Sequence, residues 1–239
     1  MSLINENLLI DIKTVQSNAI RILFESLKDI LTDVNLQISS SGIKIIAMDG
    51  SKVAVVHLKL DADKFEYFNC KKPIKAGINM ASLHKILKII KNNDIINFYI
   101  KETDSINLNI KIENTEKKTK IISVIKLLDI DEDILEIPNI EYDSVITMPS
   151  NDFQSYIRDL SIITNEIKIE SKDESFILSG QGDFAGTNII IGETSNGMVL
   201  NKQISASGTF FLKYLLLFTK STNLCTTVEI YLKDEYPLI

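Results

Sequence analysis

The side chains that could carry out chemistry are few, and their spacing does not assemble them. His57 sits in an alternating run among valines, and His84 in a segment of helical spacing. Neither has a partner at a spacing that metal binding or proton transfer uses. Cys70 and Cys225 are the two cysteines, with no CxxC pair and no neighbouring histidine, so neither a zinc site nor a disulfide framework is expected. Asp129, Asp131 and Asp133 have the alternation that opens a calcium loop. That loop also needs a glycine where Ile134 stands and a bidentate glutamate where Ile140 stands, so the run reads as a solvated acidic stretch. Gly180-Gln181-Gly182-Asp183-Phe184-Ala185 fits a dinucleotide fingerprint by letter. The fingerprint must open a helix, whereas Thr187 to Ile191 continue as strand, so the glycines read as a hairpin turn. No phosphate-loop or nucleophile-elbow motif occurs. The expectation is a protein that is not an enzyme, with no metal and no cofactor.

One group of side chains does recur at a meaningful spacing, and it is cationic. Arg21 and Lys28 are seven apart, Lys85, Lys88 and Lys91 step by three, and Lys213 and Lys220 are again seven apart; Arg158 stands alone. Steps of three and seven keep side chains on one face of a helix. The whole chain carries 26 Lys+Arg against 32 Asp+Glu, a formal −6, which excludes binding of nucleic acid by bulk charge. The acid must then concentrate on strands, turns and linker while the helices stay basic. Lysines on an amphipathic helix can simply face water. The same sign on three helices leaves a second reading level with that one: a shared surface that faces a polyanion, through phosphate contacts that carry no sequence information. No aromatic residues interleave with these lysines, so stacking on single-stranded bases is not indicated.

The elements that must position these residues follow from periodicity. Period-two runs predict strands at 34–38, 43–46, 53–60, 95–100, 106–112, 121–125, 167–169, 176–178, 189–191 and 228–232. Ser41-Gly42 and Asp49-Gly50 supply turns. Helical spacing predicts helices over 17–31, 81–91, 151–162 and 210–219, with Ser82 as the N-cap of the second and Phe211, Tyr214, Leu215 and Phe218 as the stripe of the fourth. Two helices precede the acidic run 129–133 and two follow it, each half in the order helix, strands, helix, strands. This is the pattern of an internal duplication. The reading is α+β, with domains at 1–128 and 139–239 and a linker at 129–138. No run approaches the ~20 apolar residues of a membrane span, and no basic-then-apolar leader opens the chain. A soluble intracellular protein with no membrane partner is expected.

The ordered segments Ser26-Leu27-Lys28-Asp29-Ile30, Ile38-Ser39-Ser40-Ser41-Gly42-Ile43, Ala47-Met48-Asp49-Gly50-Ser51-Lys52-Val53 and Ser82-Leu83-His84-Lys85-Ile86-Leu87-Lys88 carry a resemblance. So do Leu128-Asp129-Ile130-Asp131, Ile137-Pro138, Met148-Pro149-Ser150, Arg158-Asp159-Leu160-Ser161 and Tyr214-Leu215-Leu216-Leu217-Phe218-Thr219-Lys220. Together they resemble the eukaryotic-type DNA sliding clamp, the proliferating cell nuclear antigen family, over nearly the whole chain. The resemblance implies two similar clamp domains per protomer, helices lining the inner face, sheets outside, and a homotrimeric ring around double-stranded DNA. It implies phosphate contacts from Arg21, Lys28, Lys85, Lys88, Lys91, Arg158, Lys213 and Lys220. It implies a groove for a partner peptide with aromatic anchors, built from Met48, Lys52, Leu135, Ile137, Pro138 and Pro237. Subunits would pair an edge strand near 119–126 (Ile121, Ser123, Ile125) with one near 187–193 (Asn188, Ile190). A DNA polymerase, other proteins with clamp-binding peptides and a clamp loader are the implied partners, in the nucleus or at a viral replication site.

Departures from the family pattern bear on these expectations. About two further strands are expected after Ile239, so the second domain reads as lacking its last strands or as closing differently. Ile22 and Ser155 stand where the family often has basic residues, which implies weaker DNA contact, and Lys52 replaces a common histidine. A subunit of a heteromeric checkpoint-type clamp, and a clamp-fold interaction protein without DNA sliding, are the alternative readings.

Overall fold

The computed structural model describes residues 7–131, 135, 140–192 and 197–239. The chain divides into two compact units, Met1–Glu136 and Ile137–Ile239. The division falls inside the stretch read above as linker.

In the first unit the order is β1 (Leu8–Thr14), α1 (Ser17–Leu27), β2 (Asp33–Ser39), β3 (Gly42–Met48), β4 (Val55–Asp61), β5 (Tyr67–Cys70), β6 (Ile74–Asn79), α2 (Met80–Leu87), β7 (Asp94–Lys101), β8 (Asp104–Asn114) and β9 (Thr119–Lys126). These strands form two antiparallel sheets, β5-β1-β7-β8-β9 and β4-β3-β2-β6. Period-two burial explains them. In β3, Ile43, Ile45 and Ala47 are buried while Lys44, Ile46 and Met48 lie on the other face. Such alternation makes one sheet face core and leaves the other to solvent. Against the buried faces pack Met80, Leu83 and Leu87 of α2, with Ile20, Phe24 and Leu27 of α1. Burying each large apolar side chain is worth about 1.5–3 kcal/mol, so the core outweighs any helix propensity.

The second unit repeats the plan with β10 (Ser144–Pro149), α3 (Ser150–Ser161), β11 (Glu166–Lys172), β12 (Ser175–Gln181), β13 (Gly186–Gly192), β14 (Val199–Lys202), β15 (Ala206–Phe211), α4 (Leu212–Phe218) and β16 (Thr227–Leu232). Its sheets are β14-β10-β16 and β13-β12-β11-β15, again antiparallel. The four-stranded sheets of the two units share one order: β4-β3-β2-β6 corresponds to β13-β12-β11-β15. Among the described residues the other sheet has five strands in the first unit and three in the second. On the flank of β16, Tyr231 and Ile239 exchange backbone hydrogen bonds of 2.6 and 3.2 Å. The core gathers Ile157 and Leu160 of α3 with Phe176, Leu178 and Ile169 of the sheet.

Four expectations are corrected here. The first helix stops at Leu27, not residue 31. Leu31 is still buried, but through a closing turn in which its N–H reaches Leu27 O at 2.8 Å. The second helix is capped by Asn79, not Ser82: Asn79 Oδ1 accepts from both the N–H and the hydroxyl of Ser82, each at 2.9 Å. Both residue types cap well, and strand pairing of β6 through Asn79 decides which one stands at the boundary. Phe211 is not on the fourth helix. It ends β15, where it pairs with Glu166, and is exposed, so the buried stripe of α4 is Leu212 and Leu215. Lys220 lies in a 3₁₀ segment, Thr219–Leu224, so the α-helical spacing from Lys213 does not apply to it.

Candidate nucleic-acid interface and partner surface

The most basic stretch is α2 and the turn that follows it. Asn79 fixes its start, and Asp94 fixes the turn after it by accepting from Lys91 N–H at 2.8 Å. Lys85, Lys88 and Lys91 are exposed, and none has an ion pair among the described residues. Lys85 belongs to the helix, Lys88 is its C-cap and Lys91 lies in the turn. No acidic residue occurs from Met80 to Lys91. Helix α1 packs beside α2, but its cations are partly offset. Arg21 donates to Glu25 at 3.0 Å and to Asn18 at 2.9 Å, and Lys28 reaches Asp29 at 2.6 Å. Exposed pairs of this kind are worth at most about 1 kcal/mol and do not bar exchange with a phosphate.

His84 is buried on α2, and its Nδ1 has no hydrogen-bond partner among the described residues. Burial pushes its pKa below the usual histidine value. The carboxylates of Glu25 and Asp29 oppose that shift, and the cations of Lys28 and Lys88 add to it. Lys28 and Lys88 therefore both lie within electrostatic reach of one buried ring, which brings the basic ends of α1 and α2 together.

In the second unit Arg158 of α3 and Lys213 of α4 are exposed, and Lys213 Nζ stands 5.5 Å from the Tyr214 ring centroid. Asp152 and Asp159 share α3 with Arg158 and are also exposed. The cationic character is thus strongest in the first unit.

The strands read as subunit edges are the terminal strands of their sheets: β9 ends the five-stranded sheet and β13 the four-stranded one. Ile121 is 45 % exposed and Ile190 68 % exposed, with Asn188 also exposed and Ser123 half-buried. Ile125 departs from the expectation. It pairs with Leu108 on the inner face of its sheet and is buried, so it offers the edge backbone only. Ile122 and Val124, exposed on the opposite face, were missed, although the strand period separates the two sets.

Of the groove residues in the first unit, Met48 is exposed at the end of β3, Lys52 is exposed with φ of 57°, and Leu135 is half-buried. Ile137 and Pro138 lie outside the described residues. Pro237 is exposed on the second unit. Val53 and Val55 extend the apolar patch and were not singled out from the sequence; Val55 pairs with Met48 across the ladder. The loop between Met48 and Val55 is tied to the buried Asp49, which accepts from the N–H groups of Ser51, Val53 and Ala54 at 3.0, 2.7 and 2.8 Å. Among the described residues no group of His, Cys, Asp or Glu could hold a metal ion. Burial raises the Cys70 thiol above its ordinary pKa, against a backbone hydrogen bond with Lys72 that lowers it, and the net rise disfavours the reactive thiolate.

A duplicated α+β scaffold, with antiparallel sheets and a cationic helix pair, is the class that fold and surface define. The model of the proliferating cell nuclear antigen N-terminal domain matches residues 9–135, and that of its C-terminal domain matches residues 136–239. The chain belongs to the proliferating cell nuclear antigen family. It is 38% identical over 240 residues to a probable DNA polymerase sliding clamp of Paramecium bursaria Chlorella virus 1, covering 98% of this chain and 92% of that protein. It is 33% identical over 237 residues to the proliferating cell nuclear antigen of Chaetomium thermophilum, covering 97% of this chain and 91% of that protein.

Proposed function

We propose that this chain is a DNA sliding clamp, a ring-forming processivity factor that encircles duplex DNA and acts by tethering rather than by catalysis. The observation that carries this reading is the exposed cationic run Lys85, Lys88 and Lys91, none of them in an ion pair among the described residues, in a chain of net charge −6 that belongs to this family. A closed ring is held on DNA by topology and needs no tight contact. Sparse phosphate contacts that exchange rapidly are what sliding requires, because each is non-specific and screened by salt. Arg21, Lys28, Arg158, Lys213 and Lys220 would add to the same contact. The acidic remainder of the surface discourages DNA from binding elsewhere.

Three protomers would join through β9 of one and β13 of the next, which extends one sheet into another and removes two exposed edges. Met48, Val53, Val55 and Leu135 would receive the aromatic anchors of a partner peptide. A DNA polymerase held in this way gains effective concentration at the template. A clamp loader would open the ring, in the nucleus or at a viral replication site.

The test has two parts. Native mass over a concentration series should show a species of about 81 kDa, three protomers of 26.9 kDa. The loaded protein should remain on nicked circular DNA in moderate salt and run off the same DNA once linearised. Equal loss from both forms would overturn the sliding reading. A mass that stays at one protomer would overturn the self-closing ring and leave a ring of mixed chains.

A further inference from the structure

We infer that Asn35 and Gly77 form a built seat for the start of the linker, and that this seat sets the affinity of the partner-peptide surface. The inference rests on the proposed peptide surface above. Asn35 on β2 and Gly77 on β6 face each other across the ladder. The chain leaves β9 and passes over this pair. Leu128 N–H donates to Gly77 O at 2.8 Å, and Asn35 Nδ2 donates to Ile130 O at 3.1 Å. The absence of a side chain at 77 is required by the crossing. A Cβ there would stand 2.2 Å from Leu128 O and 3.1 Å from Ile130 Cδ1. Backbone against Cβ at that distance has no soft way out, so any larger residue lifts the linker. Asn35 is only 6 % exposed, and an amide so buried must keep its acceptor.

The second unit shows that the seat is not a requirement of the fold. Its sheet repeats the register, and the pair corresponding to Asn35 and Gly77 is Lys168 and Thr209. Both have side chains, and both line an open polar cavity of about 860 Å³ with Ser179 and Asn188. The same four strands therefore form with the trough uncovered. In the first unit, glycine and a buried amide mark the trough as shaped for a crossing chain. Leu135 follows Ile130 by five residues, which span at most about 18 Å. Moving the anchor at Ile130 therefore moves the region Leu135 can reach, and with it the Leu135 side of the proposed peptide surface.

The experiment measures three quantities on the full chain: native mass, hydrogen exchange at the Leu128 amide, and affinity for a fluorescent synthetic peptide carrying one helical turn with aromatic anchors. Gly77→Ala should speed exchange at Leu128 at least tenfold and weaken the peptide at least fivefold, with mass unchanged. Asn35→Asp, which swaps the donor for an acceptor at constant shape, should do the same and decides the matter if Gly77→Ala does not fold. Lys168→Asp, at the position in the second unit that corresponds to Asn35, should leave the peptide affinity unchanged. Faster exchange with unaltered affinity would overturn the inference, and so would protection of Leu128 that survives both changes. Failure of the unsubstituted protein to bind the peptide would instead remove the peptide surface, while the Leu128 amide would still report on the seat.

Discussion

The second helix of each unit occupies the same place in the repeat, yet α2 and α4 are built differently. The buried positions correspond: Met80 with Leu212, and Leu83 with Leu215. The outward positions, the ends and the buried His84 do not. Helix α2 has a side-chain cap at Asn79 where α4 begins after Phe211 with none. It has His84 where α4 has Leu216, and cations at 85, 88 and 91 against Lys213 within α4. The two units share apolar residues at the first two core positions of this helix and differ in what faces outward. The surface of one half could then become basic without any change in the scaffold that holds it.

The largest effect would come from striking one core alone. Phe176 is fully buried in the second unit, and Phe176→Ala should cost about 3–5 kcal/mol. Urea unfolding should show the loss, and hydrogen exchange should confine it to residues after 140. Loss of protection on β7 as well would mean that the halves unfold as one.

Next comes charge. Lys85→Glu with Lys88→Glu should lower retention on circular DNA at least tenfold near physiological salt, where screening is partial. Arg158→Glu with Lys213→Glu should cost markedly less, since Asp152 and Asp159 already dilute that surface. Equal losses would break the contrast between the halves.

Caps give a smaller, two-sided comparison. Asn79→Ala should destabilise by about 1 kcal/mol. Exposed Phe211→Asn should recover a few tenths if its strand pairing with Glu166 tolerates the change. Thermal melting of both variants reads the difference directly.

The smallest effect is that of pH. Burial lowers the pKa of His84, so the unfolded chain binds its proton more readily than the folded one. Its contribution is constant above the unfolded value near 6.5, and stability falls as pH drops below it, levelling once the folded ring also protonates. His84→Leu, which copies the second half, should flatten that part of the pH profile measured by urea unfolding.

Much of the fold was legible because strand alternation and helix stripes are local signals. Ile43, Ile45 and Ala47 declare their buried face within seven residues. The duplication was legible for the same reason, as was the cationic stripe through Lys85 and Lys88. What escaped depends on competition or distance. The run from Phe210 to Phe218 is apolar almost throughout, so helical spacing could not place its start, and pairing of Phe211 with Glu166 settled it. Asn79 and Ser82 are equally good caps in isolation. The outward face of Val55 was set by its ladder pairing with Met48, which the strand pattern alone does not show. Asn35 meets Ile130 across 95 residues of sequence, and the reason for a glycine at 77 is visible only once the crossing chain is seen.

The exposed β9 edge also has a kinetic consequence. Ile121, Ile122 and Val124 lie exposed on a strand with an unpaired backbone, bracketed by Lys120 and Lys126. Such a strand is a template for pairing with any chain that arrives first, and flanking lysines slow the wrong partners by repulsion. A freshly made protomer is therefore in a race between ordered assembly and clumping. Dilution helps it avoid the second but delays the first, so yield on refolding should pass through a maximum at intermediate protein concentration.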